Sequence, residues 1–127
     1  MASEAKTRPA RIAAQLRQEL ARLIARDLGD PRLEGLIVAN VTMTGDLRLA
    51  KVYWRIAALA GPGVDLEARR KDAQTALERA SGRLKRAATA QLGLRFAPEL
   101  RFAYDAGQEA RDRIDELLEE VKKDTKS

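Results

Sequence analysis

The chain has 127 residues, 45% of them apolar and 34% charged, with a formal net charge of +5. That length predicts one domain with a modest core, and the basic balance favours an anionic partner, of which nucleic acid is the commonest. The absence of Cys and His excludes disulfide scaffolds, thiolate metal sites, Cys nucleophiles and His general bases. No apolar run approaches the roughly 20 residues of a membrane span. The N-terminus, with Glu4, Lys6, Arg8 and Arg11, lacks the apolar core of a signal peptide. A cytoplasmic monomer with no cofactor, no metal and no membrane partner is the expectation.

Residues 1–7 are small and polar and are expected to be disordered. A helix is predicted from about Pro9 to Leu28. Ile12, Leu16, Leu20, Leu23 and Ile24 recur at helical spacing and form its buried stripe. Arg8, Arg11, Gln15, Gln18, Arg22 and Arg26 share another face, which serves either as a solvated surface or as an RNA contact stripe. Asp30-Pro31-Arg32-Leu33 reads as a turn. Leu36 to Met43 is rich in β-branched residues and reads as a strand. Thr44-Gly45-Asp46 turns the chain, and Leu47 to Ala58 alternates as the second strand of an antiparallel hairpin. Val52, Trp54 and Ile56 should face the core. Lys51, Tyr53 and Arg55 should face solvent.

Gly61-Pro62-Gly63 is a loop. A long helix is predicted from Asp65, its N-cap, to Leu92, with Gly93 as its C-terminal cap residue. Ala73, Ala76, Leu77, Ala80, Leu84 and Ala88 fall on one face. Ser81-Gly82 interrupts the pattern and predicts a kink, at which Gly82 matters for shape more than for contact. Leu94 to Tyr104 alternates again, with Leu94, Phe96, Leu100, Phe102 and Tyr104 on one side. Pro98 implies an edge or a bulge there. A last helix is predicted from about Gln108 to Lys123. Three strands with helices on one face make an α+β domain of two layers, spanning residues 8–123, with a disordered tail at 124–127.

An enzyme finds few parts here. There is no phosphate-binding glycine loop with its Lys, and no metal-ligand spacing. The carboxylates from Asp112 to Glu120 alternate with Arg111, Arg113 and Lys122, as on a solvated helix. Charge is distributed unevenly. Residues 1–104 hold 19 Lys/Arg against 11 Asp/Glu, a net of +8, and residues 105–127 hold 5 against 8, a net of −3. Residues 69–86 alone contain 7 basic and 2 acidic residues. Lys71, Arg79, Arg83 and Arg86 lie opposite the Ala/Leu face of the long helix. Such a face either serves solubility or meets a phosphate strand. Trp54, Phe96 and Phe102 follow the core phase. Tyr53 is out of that phase and can stack on a base, or it is an ordinary surface tyrosine.

In order and spacing, several of these motifs resemble the ribosome-binding factor A family. They are Arg8-Pro9-Ala10-Arg11-Ile12 with the helix through Ile24, Asp30-Pro31-Arg32-Leu33, Lys51-Val52-Tyr53, Ala80-Ser81-Gly82, Pro98-Glu99-Leu100-Arg101-Phe102 and Tyr104-Asp105. The likeness covers roughly residues 8–120. It implies a type II K-homology fold, in which a Gly-x-x-Gly loop normally clamps RNA. This chain has Ala80-Ser81-Gly82 instead, which implies docking on folded ribosomal RNA rather than clamping of a single strand. The resemblance also implies a role in late maturation of the 30S subunit at the 5′ end of the 16S rRNA, and in cold adaptation. The expected RNA-contacting residues are Arg8, Arg11, Arg32, Lys71, Arg79, Arg83, Lys85 and Arg86, with Ala80, Ser81 and Gly82 at the kink. The tail is short, so contacts made by longer tails in the family are expected to be absent. The alternative is a basic protein-interaction module without direct rRNA contact.

Overall fold

The computed structural model describes residues 7–57 and 65–107. The expected last helix at 108–123, the tail at 124–127, most of the N-terminal segment and the Gly61-Pro62-Gly63 loop lie outside the described residues.

Helix α1 spans Arg8–Arg26. Thr7, assigned to the N-terminal tail on sequence grounds, is its N-cap. Its hydroxyl accepts from the Ala10 N–H at 3.2 Å, and Pro9 occupies the first turn, where an N–H is not needed. Ile12, Ala13, Leu16, Leu20, Leu23 and Ile24 are buried. A 3-10 turn follows over Pro31–Leu33, capped by Asp30, whose carboxylate accepts from the Arg32 N–H at 2.9 Å.

Strand β1, Leu36–Met43, pairs antiparallel with β2, Leu49–Ile56. The register slips between Val38 and Asn40, so Ala39 is an extra residue. Val38 and Val41 are three apart and would face opposite ways on a regular strand. The bulge brings both into the core. Helix α2, Leu66–Leu92, then carries the chain to β3, Glu99–Tyr104, which pairs parallel with β2. A parallel pair needs such a crossover. The sheet order is β1-β2-β3. The inward side chains Val38, Val41, Ala50, Val52, Trp54, Ile56 and Leu100 pack with the apolar stripes of α1 and α2. This is the expected α+β arrangement of a three-stranded sheet under helices.

Two expectations fail in detail. The third strand begins at Glu99, not Leu94. Gly93 takes φ +65 and donates to the Ala90 carbonyl, while the Leu94 N–H donates to Thr89 at 3.1 Å. This double closure of the helix end consumes Leu94, and Pro98 has no N–H to offer a ladder. Phe96 is therefore in the connecting loop and is 73% exposed, not buried. Trp54 is buried as expected, at 1% exposure, and Phe102, in the core phase, is only half-buried against the core. Helix α2 runs without a break through Ala80, Ser81 and Gly82, where the kink is expected. Gly82 lies within the helix at a φ outside the left-handed region. The roughly 1 kcal/mol helix penalty of a glycine is small beside the burial of Ala73, Ala76, Leu77, Leu84 and Ala88 on either side of it.

Candidate nucleic-acid interface

Helix α2 turns its Ala/Leu stripe to the sheet and so turns Lys71, Arg79, Arg83 and Arg86 outward, where all four are exposed. Among the described residues, Lys71, Arg79 and Arg86 form no ion pair. Gly82 lies on this same face. Among the described residues, a Cβ there would meet only the Arg86 side chain, its Nη1 atom at 3.4 Å. Ala80, Ser81 and Gly82 are all half-buried. Lys85 is half-buried at the margin of the face.

The link between α1 and β1 runs beside α2 and meets its cations in turn. Arg83 Nη2 donates to the Asp27 carbonyl at 3.3 Å. Arg69 Nη2 donates to the Glu34 carbonyl at 2.5 Å. Arg32 grips Asp30 with both ends of its guanidinium, Nε to Oδ1 at 3.1 Å and Nη2 to Oδ2 at 2.7 Å. That grip holds the Asp30 carboxyl below its ordinary range, helped by the Arg32 backbone N–H and, more weakly, by the charge of Arg79. The same pair pushes the Arg32 guanidinium up. Arg32 is thus committed to the turn, though its side chain keeps 38% exposure.

The structure gathers Arg32, Arg79 and Arg83 around residues 27–32. It does not bring Arg8 and Arg11 to them. These two are exposed at the start of α1, a helix of 19 residues and therefore about 28 Å long. The rest of the polar face of α1, Gln15, Gln18, Arg22 and Arg26, is exposed as expected. Gln15, Gln18, Glu19 and Arg22 line a groove of about 430 Å³ with Gln91 and Leu92 at the C-terminal end of α2. Arg22 pairs with Glu19, which lowers the Glu19 carboxyl through that hydrogen bond. The spacing of three residues announces this pair. Sequence reasoning missed Arg69 as a tether, because its acceptor is a backbone carbonyl 35 residues away. Among the described residues, no three metal-ligating side chains converge, and no helix is long and apolar enough to cross a membrane.

The family model described as ribosome-binding factor A matches residues 8–118. The ribosome-binding factor A of Sorangium cellulosum is 45% identical over 115 residues, which is 91% of this chain and 89% of that protein. The crystal structure of ribosome-binding factor A from Thermus thermophilus superposes with a TM-score of 0.63 at 31% identity, covering 77% of this chain and 97% of that one. A homology model of the Thermus thermophilus factor, fitted into a cryo-EM map of its complex with the 30S subunit, superposes with a TM-score of 0.55 at 34% identity and covers 72% and 88%. The chain shares the K-homology-like fold of these structures.

Proposed function

Because the chain belongs to the ribosome-binding factor A family, we propose that it is a non-enzymatic assembly factor that binds the free 30S subunit through 16S rRNA and assists late maturation of the rRNA 5′ end, most needed in the cold. The observation that carries the rRNA contact is the outer face of α2. It presents Lys71, Arg79 and Arg86 with no ion pair among the described residues, and Arg83 beside them on a single long bond. Cations left unneutralised on one face repel each other. They are stabilised when phosphates release counterions to them. Gly82 in the middle of this face leaves the helix surface low, so a sugar–phosphate strand can approach the backbone closely.

The contacting set is Lys71, Arg79, Arg83, Arg86 and Lys85, extended along α1 by Arg11 and Arg8. Arg32 contributes through its exposed portion while holding Asp30. The domain that carries these residues runs from residue 8 to about 123. It works as a monomer in the cytoplasm. The non-enzymatic reading is supported by the lack of His and Cys and by membership of a family named for binding.

The test is co-sedimentation of the full chain with purified small subunits and with whole ribosomes at 50 and 200 mM salt. The chain should travel with free small subunits and leave them as salt rises. The variant with Arg79→Glu, Arg83→Glu and Arg86→Glu should lose the subunit and keep its circular dichroism spectrum. Intact binding by that variant would move the site off α2. Cells depleted of the chain should accumulate 16S rRNA with an unprocessed 5′ end, more so at low temperature. Normal 5′ ends would refute the maturation role and leave subunit binding untouched.

A further inference from the structure

The sheet has a second face, turned away from the helices. On β2 it presents Lys51, Tyr53 and Arg55, which alternate with the buried Ala50, Val52, Trp54 and Ile56. The register sets their neighbours. Lys51 lies between Thr42 on β1 and Arg101 on β3, and Tyr53 lies between Asn40 and Ala103. Strands lie about 4.8 Å apart, so Lys51 and Arg101 are cations side by side. Like charges in register on adjacent strands destabilise a sheet. Glu99, 3.7 Å from Arg101, offsets only part of that cost.

We propose that this open face is a second RNA surface, taking a single-stranded segment with one base stacked on Tyr53 and phosphates held by Lys51 and Arg101. The proposal rests on the reading that the chain binds small-subunit rRNA. Three features select the occupant. The face places an aromatic ring between cations along one strand, the combination that binds single strands by stacking and charge. Its outward side chains Thr42, Asn40, Lys51 and Arg101 are polar and exposed. A protein interface is poor in Lys at its core and richer in apolar area. The neighbours of Tyr53, Asn40 and Ala103, are both too short to cover its ring, which is half-buried at its base. A duplex keeps its bases stacked on each other, so the ring selects an unpaired base. The contact is on the opposite layer from Arg79, Arg83 and Arg86, so the chain would hold RNA from two sides.

The experiment measures binding of fluorescein-labelled octauridylate to the full chain by anisotropy, beside the small-subunit sedimentation assay. Tyr53→Ala should weaken the oligonucleotide by about tenfold, and Tyr53→Phe, which keeps the ring, should bind as the parent does. Lys51→Ser and Arg101→Ser should each lower the salt slope by about 0.7, the value for a single strand. The variant with Arg79, Arg83 and Arg86 replaced by Glu should retain Tyr53-dependent binding. The proposal is overturned if the parent does not bind the oligonucleotide, or if folded Tyr53→Ala binds it as tightly as the parent. It is equally overturned if Tyr53→Ala loses the small subunit while keeping the oligonucleotide, because the face then meets a protein. The sedimentation of the parent tests subunit binding by itself, so the two readings fail separately.

Discussion

Gln74 stands between two elements of the sheet with both ends of its amide in use. Its Oε1 accepts from the Trp54 indole N–H at 2.8 Å, and its Nε2 donates to the Phe102 carbonyl at 2.9 Å. Trp54 is 1% exposed, so its N–H has the Gln74 amide in place of solvent. A buried donor left unpaired costs about 1–3 kcal/mol. Gln74→Ala should therefore lower stability by that amount, read in urea unfolding from the fluorescence of the single Trp. A smaller loss would mean that water replaces the amide. A different dependence governs Asp30. Arg32 lowers its carboxyl from the ordinary value of 3.8, and Asp46 is lowered likewise by the Thr44 hydroxyl and the Arg48 N–H. A folded-state value below the unfolded one gives stability that is present above the unfolded value and is lost as pH falls through the folded one. Thermal melts should accordingly be level near neutrality and fall below pH 3.8. Asp30→Asn should make that acid decline shallower, and an unchanged acid limb would show that the Arg32 grip contributes nothing to the fold.

At the scale of elements, α2 decides the most. Its pattern predicts a kink at Gly82, and the helix runs on through it because the apolar residues before and after Ser81-Gly82 are buried in one core. With ordinary angles and only the tip of Arg86 in reach, Gly82→Ala should add about 1 kcal/mol and raise the melting temperature by about 4 °C. A fall in melting temperature would mean that the backbone there needs glycine. The same variant should weaken small-subunit binding if the strand of rRNA lies against the helix surface. Phe96 teaches the converse. Leu94, Phe96, Leu100 and Phe102 alternate like one strand, yet the first two precede Pro98 and belong to the helix cap and its loop. Period two over so short a run does not separate a strand from a loop that happens to alternate. At 73% exposure, Phe96→Ser should change stability by less than about 0.5 kcal/mol. The α1 stripe, the β1–β2 hairpin and the ends of α2 are legible because periodicity and turn or cap residues agree there: Asp65 accepts the Ala68 N–H as an N-cap should, whereas the Thr7 cap of α1 lies in a segment read as tail. The parallel pairing of β2 with β3 is not, since no local pattern encodes a partner 50 residues away. The cations of α2 can be read as a face, but nothing in the sequence tells that Arg32 and Arg69 hold the α1–β1 link while Lys71, Arg79 and Arg86 remain outside any ion pair among the described residues.

Taken as a whole, the molecule is a helical layer on a sheet, and the proposed RNA-contacting cations of the helical side include two sets at opposite ends of α1. Arg8 and Arg11 sit at one end of α1. Arg83 reaches Asp27 just past its other end, with Arg79 and Arg86 on adjoining turns of α2. Helix α1 rises about 28 Å over its 19 residues between Arg8 and the Asp27 end, so its two ends lie well beyond the distance at which substitutions couple. Their effects on binding should therefore add. If every cation meets one phosphate, each neutral replacement lowers the salt slope by about 0.9. Serine at 8 and 11 should then lower the slope of small-subunit binding by about 2, and serine at 79, 83 and 86 by about 3, following the same rule. The combined variant should lose about 5. Serine rather than glutamate is the replacement for this count, because the slope reads cations removed and a new carboxylate would add a repulsion of its own to the phosphates. The measurement is the dissociation constant of the full chain for purified small subunits from 50 to 200 mM salt. Should the combined variant fall no further than the α2 variant, Arg8 and Arg11 lie in solvent on the subunit, and the contact is confined to the half of the helical layer around residues 27–32 and α2.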